Sequence, residues 1–223
     1  MQAERIVCLA NSSMGRRYRC VAGKKLEGDI PSGWIRLVGG DGEGQEGIPV
    51  RLVRYVKLLD IIEVSLLEPL PRGHQQENWL LDVDPTALGR VEREPWRDPY
   101  QLVDSVEPLW INVTCSNEGK NDGVPYPQIG GIQSSLRFIQ VDELMLRAFG
   151  NTVRGQFQYG GVEYSLRVTD PDYETPSSEG FEKSDKIHKC FLTVSLAGEY
   201  VGREPAYYKL IAAIIPCDEA STA

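Results

Sequence analysis

Hydrophobic and polar positions change places in short steps along this chain, and few apolar runs are long enough for a stable helix. Arg5 to Ala10 is a brief Ile/Val/Cys/Leu run closed by Asn11-Ser12-Ser13, which predicts a buried strand and then a turn. After Gly15-Arg16-Arg17-Tyr18-Arg19, the run Cys20 to Gly23 predicts a second strand, and Trp34 to Val38 a third. The period of two puts Trp34, Arg36 and Val38 on one face of that third strand and Ile35 and Leu37 on the other. Gly39 to Gly47 reads as a flexible loop; it lacks the Lys-Ser/Thr and the following helix of a phosphate cradle. Leu58 to Leu67 predicts a central strand with a bend, and Pro69, Pro71 and Gly73 end it.

Residues 82–108 read as extended or short helical pieces, with Leu102 to Val106 their most apolar part, and Trp110 to Val113 predicts a strand. A polar loop follows from Ser116 to Gly131. Leu136 to Val141 reads as a strand, Asp142 as the cap of a short helix over Glu143–Phe149, and Gly150-Asn151 as its stop. Val153 to Tyr159 and Val162 to Thr169 alternate around Gly160-Gly161, the plainest hairpin in the chain. An acidic loop, Asp170 to Lys186, precedes strands at Cys190–Leu196 and Tyr207–Ile215. Five strands and one short helix suit a small Greek-key or OB-like barrel, with a sandwich as the alternative.

Composition changes this picture little. The 223 residues are 41% hydrophobic and 25% charged, the balance of an ordered globular chain. The N-terminus is too short in apolar residues for a signal peptide, and no run reaches the ~20 residues of a membrane span, so the expected location is cytoplasmic. Five scattered cysteines without a C-x-x-C pair fit reduced thiols.

Charge changes it more. The net charge is −8, which opposes non-specific phosphate binding. Residues 1–57, however, hold ten Lys or Arg against six Asp or Glu, while the remainder holds fourteen against twenty-six.

The order IVCLANSS (Ile6–Ser13), RCVAG (Arg19–Gly23), GWIRLV (Gly33–Val38), LLDIIEV (Leu58–Val64), QEN (Gln76–Asn78), KNDGV (Lys120–Val124), VTDP (Val168–Pro171), FLTVSL (Phe191–Leu196) and YKLIAAII (Tyr208–Ile215) resembles the bacterial dual OB-containing domain family. The resemblance implies a mainly β chain of two OB-like Greek-key barrels with short helices and long loops. Residues 1–115 form the first barrel with an extended connection, 116–134 a linker, 135–217 the second barrel and 218–223 a tail. It also implies nucleic-acid recognition and a place in bacterial conflict or defence systems.

On this reading the ligand is nucleic acid or a nucleotide-like molecule. Arg16, Arg17, Arg19, Lys24 and Arg36 supply cations for phosphates and Trp34 a stacking ring, Asn11 and Ser12 add hydrogen bonds, and Asn121 and Asp122 close over the site; the alternatives are a solvated basic turn beside a core tryptophan, turn-holding Asn11 and Ser12, and Asx turns at Asn121-Asp122. Tyr159 and Tyr164 are either stacking rings or sheet packing. No cofactor or metal is expected. Asp60 and Glu63 point to opposite strand faces, Asp170, Asp172, Glu174 and Glu179 lack the spacing of a calcium loop, and His74 and His188 mark no nucleophilic triad. A non-enzymatic binding module is therefore the leading expectation. A protein-protein adaptor using the acidic surface is the alternative, and a metal-dependent hydrolase stands behind both.

Overall fold

The computed structural model describes residues 2–39, 47–82, 88–90, 94–105, 108–175, 185–200 and 206–217. Most of the glycine-rich segment after Gly39, part of the acidic loop after Asp170 and the 218–223 tail lie outside them. The chain divides into two compact units, Met1–Leu102 and Val103–Ala223. The first contains β1 (Gln2–Met14), β2 (Tyr18–Glu27), β3 (Ile30–Val38), β4 (Ile48–Pro49), α1 (Val50–Val53), β5 (Ile61–Pro69), β6 (Asn78–Leu81) and β7 (Leu88–Arg90). The second contains β8 (Gly123–Pro125), β9 (Leu136–Phe149), β10 (Thr152–Tyr159), β11 (Val162–Val168), β12 (Asp185–Tyr200) and β13 (Ala206–Pro216).

In the first unit the strands run β1-β2-β3-β6-β5, and β5 pairs back onto β1, closing a five-stranded barrel. Every pairing in that ring is antiparallel except β3 with β6. The second unit repeats the scheme as β9-β10-β11-β13-β12, closed by β12 onto β9, with β11 and β13 the parallel pair. Counted within each barrel, both orders are 1-2-3-5-4-1, so both units are the expected OB-like Greek-key barrels. Each strand of either ring has a paired neighbour on both sides.

Inward residues alternate as the pleat requires. Ile6, Cys8, Val21, Ile35, Leu37, Ile62, Val64, Leu66 and Leu81 fill the first barrel. Ile139, Val141, Leu144, Leu146, Val153, Phe157, Tyr164, Leu166, Leu192, Val194 and Ile211 fill the second. Tyr164 is fully buried and stacks on Phe157 at 5.3 Å between centroids, so it is core rather than a stacking surface. All five cysteines are free thiols. Burial pushes the thiols of Cys8 and Cys190 up to about 12.

Three predicted elements differ. Asn11-Ser12-Ser13 is not a turn: β1 runs through it to Met14, and the chain reverses at Gly15, whose φ is 68°. The predicted helix after Asp142 is strand as well, because β9 continues unbroken to Phe149 and pairs with β10 along its second half. Two consecutive exposed residues, Asp142 and Glu143, shift the apolar phase there and imitate a helical pattern. Trp110 to Val113 forms no strand. Trp110 sits at φ 51°, and its indole N–H donates to Ser134 O at 2.9 Å.

The division at Leu102 also falls earlier than residue 115. Residues 103–105 and 108–134 pack on the second barrel: Asp104 accepts the Phe138 N–H at 2.8 Å, and the Leu109 N–H donates to the Tyr164 hydroxyl at 3.1 Å. Lys209, 1% exposed, donates from Nζ to Ile111 O (2.7 Å), Asn112 Oδ1 (2.6 Å) and Asn121 O (2.8 Å). Burial pushes its ammonium down to about 7, against the pull of the nearby Asp122 charge.

Two substitutions test these packings. A Cβ added at Gly23 would stand 2.1 Å from the backbone oxygen of Val7, where β2 crosses the β1 bulge between Cys8 and Ala10. Gly23→Ala is expected to cost about 2 kcal/mol in urea unfolding of the full chain. In the second unit, Asp170 accepts Asp172 N–H (3.0 Å) and Ile214 N–H (2.8 Å), while burial pushes its carboxyl up to about 6. A raised carboxyl pKa gives stability that is complete below the unfolded value near 3.8 and lost as pH rises through 6. The wild type should therefore lose up to roughly 3 kcal/mol relative to Asp170→Asn between pH 4 and 7, read by hydrogen exchange in β12 and β13.

Candidate nucleic-acid interface

The β2–β3 pairing sets Lys24 opposite Trp34 and Ala22 opposite Arg36, all on the outer face of the first barrel. Lys24 Nζ lies 5.6 Å from the Trp34 ring centroid. Arg36 faces Asn78 across the parallel β3–β6 pairing, its guanidinium is 3.6 Å from Glu77 Oε1, and its N–H donates to Glu77 O at 2.8 Å. This face is largely closed to solvent. Lys24 is 9% exposed, Arg36 5% and Ser12 4%, with Val7, Ala10, Ala22 and Val38 buried beside them, while Trp34 is half-buried. Arg36 is thus a structural ion-pair partner, and the sheet face is no open platform.

Arg19 lies on the opposite side of β2, with Val21, and its guanidinium donates to Ser13 Oγ at 2.5 Å. Asn11 also points that way, and its Nδ2 donates to Val53 O (3.0 Å) and Val56 O (2.9 Å). Asn121 and Asp122 belong to the second unit. Asn121 Nδ2 donates to Glu163 O at 2.9 Å. Asp122, 2% exposed, accepts Ser116 N–H (2.8 Å), Ser116 Oγ–H (2.6 Å) and both Arg154 terminal nitrogens (3.3 and 3.2 Å). A Cβ at Gly119 would stand 1.7 Å from Asp122 Oδ2, so the loop needs glycine there to close on the carboxylate. Both side chains hold their own loop.

Arg16 and Arg17 remain, exposed on the β1–β2 turn. Their neighbours come from a segment far along the chain. The Arg17 carbonyl accepts the Val50 N–H at 3.0 Å, and β4 pairs with β2 at Tyr18–Pro49 and Arg19–Ile48. That docks the α1 arm, residues 50–60, beside the turn. Val53 and Val56 turn into the core, which leaves Arg51, Arg54, Tyr55 and Lys57 exposed. Arg51 and Arg54 three apart, with Lys57 three further on, repeat with the valines Val50, Val53 and Val56 one step out of phase. That repeat is a sequence signal for the arm, and the expected site did not include it.

The arm is held at both ends. Arg54 N–H donates to Val50 O (2.9 Å) and Lys57 N–H to Asp60 Oδ2 (2.9 Å); Leu59 N–H reaches Cys8 O (2.7 Å) and Cys8 N–H reaches Asp60 O (2.9 Å). Leu59 keeps a left-handed φ of 67° inside this net. Asp60 is therefore a cap, 3% exposed, and not a metal ligand paired with the exposed Glu63. Among the described residues no group of three or more His, Cys, Asp or Glu is placed to hold a metal ion.

The outer face of β9, β10 and β11 in the second barrel carries charges of both signs. A groove of about 430 Å³ there is lined by Asp142, Glu143, Gln156, Gln158 and Glu163, with Met145 and Arg147. Glu143 pairs with Lys186 and Glu163 with Lys120.

Asn11 tests the anchoring of the arm. Asn11→Ala removes both hydrogen bonds to the Val53 and Val56 carbonyls and should cost about 2 kcal/mol. Amide exchange at Arg54 and Val56 should accelerate well beyond that of the β2–β3 amides.

No curated protein matches the chain. Among solved structures, it is similar to the tetrameric p202 HIN2 (8% identity, TM-score 0.34, covering 97% of this chain and 92% of that one). It is also similar to a murine DNA binding protein bound with ds DNA (10%, 0.35, 97% and 100%) and to the p204 HINb domain (9%, 0.33, 95% and 92%). A family model for the dual OB-containing domain matches residues 4–214, nearly the whole of the two barrels. With both barrels closed in OB order over that span, the chain belongs to the dual OB-containing domain family.

Proposed function

We propose that this protein binds nucleic acid, without catalysing a reaction on it, through the basic end of its first barrel. One observation carries the reading: Arg16, Arg17, Arg51, Arg54 and Lys57 stand exposed on two adjoining loops, and none forms an ion pair with a described residue. Cations that form no ion pair with a described residue, set on a hydrogen-bonded scaffold, keep their charge for a ligand, and guanidinium groups match phosphate oxygens in pairs. Trp34 and Lys24 pair six residues along β2 from Tyr18, on the closed sheet face, and are no part of this site.

Titration of labelled DNA and RNA against salt tests this. Arg16→Glu with Arg17→Glu should weaken binding and flatten the slope of log K against log salt by about 0.7 for each single-strand phosphate no longer neutralised. Arg167→Glu, an exposed arginine of the second barrel, should leave both unchanged. Equal losses from the two substitutions would point to diffuse charge and refute the site.

A further inference from the structure

We infer that Tyr55, backed by Arg54, is a base-stacking post, so that the nucleic acid taken at the basic end is a strand with unpaired bases. This rests on the reading that the basic end takes a polyanion, and it narrows which polyanion. Tyr55 is 73% exposed although its arm buries Val53 and Val56 on either side, so the fold turns the aromatic outward and the aliphatics in. The Arg54 guanidinium lies 4.5 Å from the Tyr55 ring centroid and covers one face. A nucleobase on the other face completes a cation–ring–base layer, with the guanidinium drawing on the ring from behind.

Anchoring makes the post effective. Tyr55 rides on a segment fixed by Asn11 Nδ2 at Val53 O and Val56 O and by Asp60 at Lys57 N–H, so little backbone entropy remains to be lost on binding. Arg51 and Lys57 flank the ring along the arm, and Arg16 and Arg17 stand on the adjoining turn. Phosphates on both sides of a stacked base therefore meet cations. In a duplex the base faces are already stacked and paired, and a surface tyrosine meets only sugar and phosphate. The competing account is a tyrosine that only shelters the Arg54 side chain and touches no ligand.

The experiment uses the intact chain and three probes of equal length: oligothymidylate, an abasic strand with the same backbone, and a duplex. Tyr55→Ala should weaken oligothymidylate binding on the order of tenfold or more with the salt slope unchanged, while Tyr55→Phe, which keeps the ring, binds like wild type. Affinity for the abasic strand should not change. If Tyr55→Ala binds oligothymidylate as wild type does, or weakens as much on the abasic strand, the stacking proposal is wrong while the polyanion reading stands. A wild-type chain that binds none of the probes at low salt overturns both.

Discussion

Closure of each barrel depends on its first strand, which gives different parts of its length to its two neighbours. In the first barrel β1 gives Gln2–Val7 to β5 and Ile6–Met14 to β2. In the second, β9 gives Leu136–Leu146 to β12 and Met145–Phe149 to β10. A strand that changes partners along its length has to bend, because five strands close only at a steep tilt. Each bend has a local cause. β1 carries a bulge between Cys8 and Ala10, and Gly23 lets β2 pass close over it. β9 sets Asp142 and Glu143 outward in succession, opposite Lys189, which adopts a φ of 44°.

The parallel pairs place what remains. A parallel partner cannot be reached by a tight turn, so the chain leaves β3 and returns to β6 only after a long excursion, and likewise from β11 to β13. In the first barrel that excursion carries α1 and its arm. β4 ties the excursion to β2 just after the β1–β2 turn, which is why Arg51 and Arg54, far from Arg16 and Arg17 in sequence, end beside them. The basic end is a consequence of topology before it is one of composition.

The same elements show what the sequence discloses. Local signals are legible: the Gly160-Gly161 hairpin, with φ of 55° and 72° at the two glycines, and the inward Ile35 and Leu37 opposite the outward Trp34 and Arg36. The two bent strands are not. Asn11-Ser12-Ser13 has turn chemistry, and the stretch from Asp142 to Phe149 has capping and helical spacing, yet partners distant in the chain hold both extended. Residues 108–134 escape a local reading because long-range bonds place them, Lys209 to Ile111 and Arg154 to Asp122 among them. Of the candidate site, charge is legible and burial is not. Trp34 and Arg36 share a face in the alternation, but that face is largely closed, whereas the three-residue Val/Arg repeat of the arm shows its exposed cations without showing that the arm docks beside the β1–β2 turn.

Net charge does not decide against a polyanion at that end. The first unit holds fourteen Lys or Arg against fifteen Asp or Glu, the second ten against seventeen, so the acidity of the chain lies mainly in the second unit. At physiological ionic strength a charge is screened over ~8 Å, so a bound phosphate responds to groups within a side chain's length and little to the sum over 223 residues. The β1–β2 turn and the arm offer five exposed cations, and the stretch from Arg5 to Leu26 contains no acidic residue at all.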